Sequence, residues 1–169
     1  MRTWIKLLCG WFAAFSAISC QSSVDLTRTT LPAGQQPQGA VDSANLAYDL
    51  NQKTWCSNDE AFSMVLMLVT GEDHCKDFNE RFIELGVKGL IDTSWKLQAD
   101  EPVTKGVLAY MLCRKLDLDI GVMMRLLPTR RYAYREAVYH GLMTLGSADE
   151  PLTGPEVVGI MSRAARWQD

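Results

Sequence analysis

The run PTRRYAYREAVYH, residues 128–140, interleaves Arg130, Arg131 and Arg135 with Tyr132, Tyr134 and Tyr139. A guanidinium is a planar fork that grips an anionic group with two hydrogen bonds and stacks on aromatic faces. Arginines set among tyrosines therefore suit an anionic or sugar-bearing polymer. At helical spacing Arg131 and Arg135 share one face, while Tyr134 and Val138 fall on the side a core would cover. The plainer reading of the same run is a solvated helix with amphipathic tyrosines.

Other reactive side chains are sparse. His74 adjoins Cys75 in GEDHC, with Glu72 and Asp73 beside them and Cys56 farther off. A Cys/His metal site shows paired ligands at short spacing, and no Cys-x-x-Cys or His-x-x-x-His occurs, so a solvated loop is expected there. His140 stands beside a glycine at a helix end, where a cation is electrostatically favoured. Asp100–Glu101 and Asp149–Glu150 are adjacent carboxylates that do not face one another; they charge a helix entrance. Gly-rich phosphate loops and the Gly-x-Ser-x-Gly elbow are absent. The expectation is no catalytic residue, no bound metal and no cofactor.

These side chains must be held by helices. ADEPVTKGVLAYMLCR (residues 99–114) is echoed 49 residues later by ADEPLTGPEVVGIMSR (148–163), with Ala, Asp, Glu, Pro, Thr and the closing Arg unchanged. Aligned on the polar residue that opens each apolar run, Ser57, Thr104 and Thr153 recur at steps of 47 and 49. Serine and threonine accept hydrogen bonds from the free amides of a helix's first turn. Ser57 with Glu60, and Thr153 with Glu156, form capping boxes, whereas Thr104 has Val107 in place of the glutamate. Pro155 sits in a first turn, where its missing amide hydrogen costs little. Apolar stripes follow: Leu108, Met111, Leu112 and Leu116 in one copy, Val157, Met161 and Ala164 in the other. Before the later caps, Phe78, Phe82 and Leu85, then Tyr134, Val138 and Leu142, mark further helices that stop at Gly89 and Gly141. No segment alternates as a half-buried strand does. The pattern predicts an all-α fold of three helix-loop-helix repeats of about 48 residues packed as a compact helical bundle.

ELGVKGLIDTSWKLQADEPVTKGVLAYMLCRKLDL resembles a surface-layer homology (SLH) repeat, in which a Gly-apolar stop leads through a loop and a proline to a capped helix. The resemblance covers residues 84–118 well, 136–167 moderately and 57–71 weakly. It implies three repeats in a pseudo-threefold prism whose grooves hold cell-wall-linked carbohydrate without chemistry. The family's ligand-binding arginine after the cap matches Lys105, with Asn58 and Gly154 in the other copies. Trp95 and Lys105 are the groove residues the resemblance carries over, and with Arg130, Arg131 and Arg135 they make up the candidate ligand-binding set.

Residues 1–19 read as a signal segment, with Arg2 and Lys6 ahead of an apolar run too short to span a bilayer. SAISC, ending at Cys20, resembles the lipobox of bacterial lipoproteins, which implies lipidation of Cys20. Gln21 follows it rather than the aspartate of an inner-membrane retention signal, so the outer membrane is favoured where there is one. Residues 20–44, rich in Gln, Ser, Thr, Pro and Gly, form a flexible tether, and 45–169 the folded domain. The chain has 17 basic and 20 acidic residues; without Arg2 and Lys6 its charge moves from −3 to −5. No basic stripe of the kind nucleic acid or anionic lipid requires is evident. Of the domain's Cys56, Cys75 and Cys113, any pair or none can be bridged. The expected protein is a membrane-tethered, non-enzymatic envelope lipoprotein that binds a cell-wall or polysaccharide component. The competing readings are a degenerate repeat domain that docks a partner protein and, more distantly, a small hydrolase or metal protein.

Overall fold

The computed structural model describes residues 43–116, 118 and 121–167; the expected signal segment, Cys20 and nearly all of the expected tether lie outside them. Among the described residues the fold is all-helical: α1 (Ser43–Asn51), α2 (Asn58–Thr70), α3 (Phe78–Val87), α4 (Lys105–Lys115), α5 (Val122–Leu126), α6 (Arg130–Tyr139) and α7 (Gly154–Ala165).

Local chemistry sets the helix ends. Ser57 and Thr153 each accept from the amide three residues on, and Glu60 and Glu156 return a carboxylate to the cap amides at 3.0 and 2.9 Å. Thr104 caps α4 through Val107 alone. Each such cap contributes about 1 kcal/mol. At the other ends, Gly89 (φ 68°) and Gly141 (φ 72°) turn left-handed, a conformation in which a Cβ would be strained. The next amides, of Leu90 and Leu142, reach back to the carbonyls of Leu85 and Ala137 at 2.9 and 2.8 Å.

The loops between helices meet at a ring of backbone hydrogen bonds. Val103 donates to the Cys56 carbonyl (2.8 Å), Leu152 to Val103 (2.9 Å) and Cys56 to Leu152 (3.0 Å). Each residue stands directly before a cap, and all three side chains are fully buried. The amides after the caps extend the pattern: Asn58 donates to Glu101, Lys105 to Glu150 and Gly154 to Lys53. A buried loop would otherwise leave these polar groups unpaired.

Around the ring, α2 packs on α3, α4 on α6, and α7 on α1. Phe62, fully buried on α2, stacks on Phe78 (5.3 Å between centroids) and meets Phe82 on α3. Leu108, Met111 and Leu112 are buried as their spacing predicts, but α4 is covered on every side from Lys105 to Cys113. A single stripe is therefore too narrow a description: α4 has neighbours on both flanks, α2 and α6. Cys56, Cys75 and Cys113 are free thiols. Burial pushes Cys56 and Cys113 up to about 12, so both are small protonated core residues.

Candidate functional site

Helix α6 opens at Thr129, whose hydroxyl accepts from the Tyr132 amide. Arg130 and Arg131 occupy its first turn, and no acidic residue is there to balance them. The amide end of a helix carries partial positive charge, so each cation there costs roughly 0.3–1 kcal/mol. Nothing in the helix's own stability favours this arrangement; a bound anion would relieve it.

Arg130, Arg131 and Arg135 are exposed and line a cleft of about 670 Å³ together with Tyr134 and the loop at residues 146–149. Gly106 lets that loop close in: its amide donates to the Ala148 carbonyl at 2.7 Å, and a Cβ at 106 would stand 2.9 Å from that oxygen and 3.1 Å from Arg130 Cβ. Trp95, half-buried, carries the Arg130 guanidinium over its ring at 5.1 Å and meets the Tyr110 ring edge-on at 4.9 Å. Four of the five expected ligand-binding residues thus converge: Trp95 orients Arg130, and Arg131 and Arg135 share the cleft. The cleft is lined by one carboxylate, Asp149, and by no histidine or cysteine. Such a surface can bind an anion through guanidinium forks.

Lys105 stands apart. It is 3% exposed, and its ammonium donates to Glu150 at 2.8 Å, a bond that holds the Glu150 carboxyl below the usual carboxylate range. The structure uses this cation internally, beside the cleft. The two matching positions are closed as well. Asn58 is buried with its amide nitrogen on the Gln98 carbonyl (2.8 Å), and Gly154 lies against the end of α1.

His74 and Glu72 form an exposed pair at 2.9 Å, beside a cavity of about 440 Å³ walled mainly by apolar atoms between α2 and α3. Cys75 borders it, its thiol pushed up by burial and by the Asp73 carboxylate. No cluster of three or more His, Cys, Asp or Glu among the described residues is placed to hold a metal ion.

Sequence reasoning passed over a buried ion-pair network centred on Arg81. Arg81 Nε donates to Asp73 at 2.7 Å, its Nη1 to Asp59 at 2.7 Å and its Nη2 to the Cys75 carbonyl at 3.1 Å. Arg81 lies on the Phe78–Phe82–Leu85 stripe of α3, and a charge within an apolar stripe was the available signal. Tyr110 and Gly106 left no comparable sign. No protein-family model, curated protein or solved structure matches this chain.

Proposed function

We propose that this is a membrane-tethered cell-envelope lipoprotein whose domain comprises three SLH-like helix-loop-helix repeats closed into a bundle. Its function is non-enzymatic: it holds an anionic cell-wall or polysaccharide component in the α6 cleft. The repeat reading is supported by three caps at steps of 47 and 49, and by the ring in which Cys56, Val103 and Leu152 each donate once and accept once. The packing of α7 on α1 fits a closed array rather than an open solenoid. The ligand reading rests on one observation, the convergence of Arg130, Arg131 and Arg135 on a single polar cleft beside Trp95.

Purified protein is expected to co-sediment with cell-wall sacculi. Arg131→Ala should weaken binding by at least about tenfold, since a charge-assisted hydrogen bond contributes ~1.5–3 kcal/mol, and should leave the melting temperature within a degree or two. Lys105→Ala tests the internal placement, because it should lower stability more than affinity. Sedimentation no greater than that of an unrelated acidic protein would discard the wall ligand.

The second reading is a degenerate repeat domain that docks a partner protein, favoured by the closure of all three cap-following positions, Asn58, Lys105 and Gly154. Recovery of one stoichiometric protein in a pull-down, with no affinity for sacculi, would select it. The anchor has its own test: Cys20→Ser is expected to shift the protein from the membrane to the soluble fraction, and unchanged membrane attachment would count against lipidation.

A further inference from the structure

Helix α5 is pinned by Met124, which is 3% exposed, yet Val122, Met123, Leu126 and Leu127 are 68, 54, 69 and 56% exposed. At 100° per residue, Val122, Met123 and Leu126 fall within about 100° of one another on the helix. Leu127 continues the edge. Single exposed apolar side chains are ordinary; four on one short edge mark a contact surface.

We propose that the corner made by α5 and the start of α6 is an interfacial contact site for an anionic lipid surface. Charge identifies the occupant. Between Asp119 and Glu136 the sequence holds Arg125, Arg130, Arg131 and Arg135 and no acidic residue, in a chain of formal charge −3. The next carboxylate, Glu136, is turned against the Gly121 backbone, 2.7 Å from where a Cβ would stand. Apolar side chains flanked by arginine, with no carboxylate among them, characterise segments that lie in the headgroup layer. The leucines, methionine and valine enter the acyl boundary, and the guanidinium forks take lipid phosphate. No described helix is long and apolar enough to cross a bilayer, so the contact is in the plane of the interface. A charge count over the whole chain conceals this basic patch, because acidic residues elsewhere outweigh it. The site depends neither on lipidation of Cys20 nor on the polymer reading, although Arg131 and Arg135 serve both.

The test uses the full-length chain with Cys9→Ser, Cys20→Ser and Cys75→Ser, carrying a fluorophore at Leu126→Cys or, as a control, at the exposed Ser162→Cys on α7. Each is added to vesicles of phosphatidylglycerol and phosphatidylethanolamine that contain acyl-chain nitroxide lipid. The 126 label should be quenched severalfold more than the 162 label. That excess should vanish in phosphatidylcholine vesicles, and affinity for the anionic vesicles should fall at least about twenty-five-fold in Arg131→Glu/Arg135→Glu, each arginine near an anionic surface being worth about a fivefold change. Melting curves confirm that each variant is folded. Equal quenching at 126 and 162 overturns the proposal, as does shielding of 126 without lipid together with cross-linking between copies, which would assign the face to self-association. Undiminished quenching in phosphatidylcholine overturns the anionic-lipid assignment.

Discussion

Asp73→Ala is expected to destabilise the protein by about 3 kcal/mol, the low end for breaking a buried pair, because the Arg81 guanidinium loses its buried partner and keeps only the partly exposed Asp59. Asp73 is 1% exposed and Arg81 7%, so neither can recruit water in compensation. The third member contributes less. Asp59 keeps 38% of its side chain exposed, and Asp59→Ala is expected to cost under about 1 kcal/mol. Urea unfolding of the two variants beside the parent measures the contrast. A second comparison separates the value of the pair from the cost of breaking it. Asp73→Leu/Arg81→Leu removes both charges and should recover much of the loss, since a buried pair offsets little more than its own desolvation. An Asp73→Ala protein within 1 kcal/mol of the parent would show that the network carries no such weight.

The same carboxyl predicts a pH dependence. Burial alone would raise Asp73, but hydrogen bonds from Arg81 and the Cys75 amide help to outweigh it and hold the group below its ordinary value. Between that depressed value and the unfolded one of about 3.9, the unfolded chain binds the extra proton. Stability therefore rises with pH across the window, is fully present above it, and is lost as pH falls through the folded value. The urea midpoint of the parent should drop below about pH 4, and Asp73→Asn should show a shallower fall. A residual slope is expected from Glu60, also held low, where burial is outweighed by hydrogen bonds from Lys53 and Ser57.

Gly154→Ala should produce the other large effect, a loss of about 3 kcal/mol, at the upper end of overpacking costs. A Cβ at 154 would overlap the Leu50 carbonyl oxygen, lie 2.7 Å from its carbon and 3.1 Å from the Lys53 carbonyl oxygen. These are backbone atoms, so no rotamer change makes room; α1 must move off α7. The measurable sign is a lower urea midpoint, with proteolysis and hydrogen exchange rising first in residues 43–51. Gly159, on the same helix, supplies the opposite result. A Cβ there meets only the far end of the Arg163 side chain, at 3.7 Å. Gly159→Ala should therefore stabilise by roughly 0.5–1 kcal/mol, the usual gain from removing a glycine inside a helix. If both variants behaved alike, helix propensity rather than the approach of α1 would govern position 154.

The candidate site was legible in its parts but not in its arrangement. Arg130, Arg131 and Arg135 stood out because of their residue type, and Trp95 through resemblance. What a sequence cannot express is that Lys105 is spent on Glu150, 45 residues away, while Arg130 crosses 35 residues to lie over Trp95. Resemblance announced Lys105 as a ligand cation; its surroundings made it an internal one.

The division has a physical basis. Caps, capping boxes and glycine stops are settled by hydrogen bonds that span three to five residues, so Ser57, Thr104, Thr153, Gly89 and Gly141 declare the helices without help from the fold. Apolar spacing adds which side of α3 and α6 turns inward. The sequence by itself therefore determined that this is a helical protein, where three of its described helices begin and where two others end. Tertiary structure alone decided what depends on segments far apart meeting: the ring through Cys56, Val103 and Leu152, the burial of Arg81 on Asp73, the absence of space at Gly154, and the cleft that gathers three arginines. Docking distances of a few ångströms set those energies, and no local propensity encodes them.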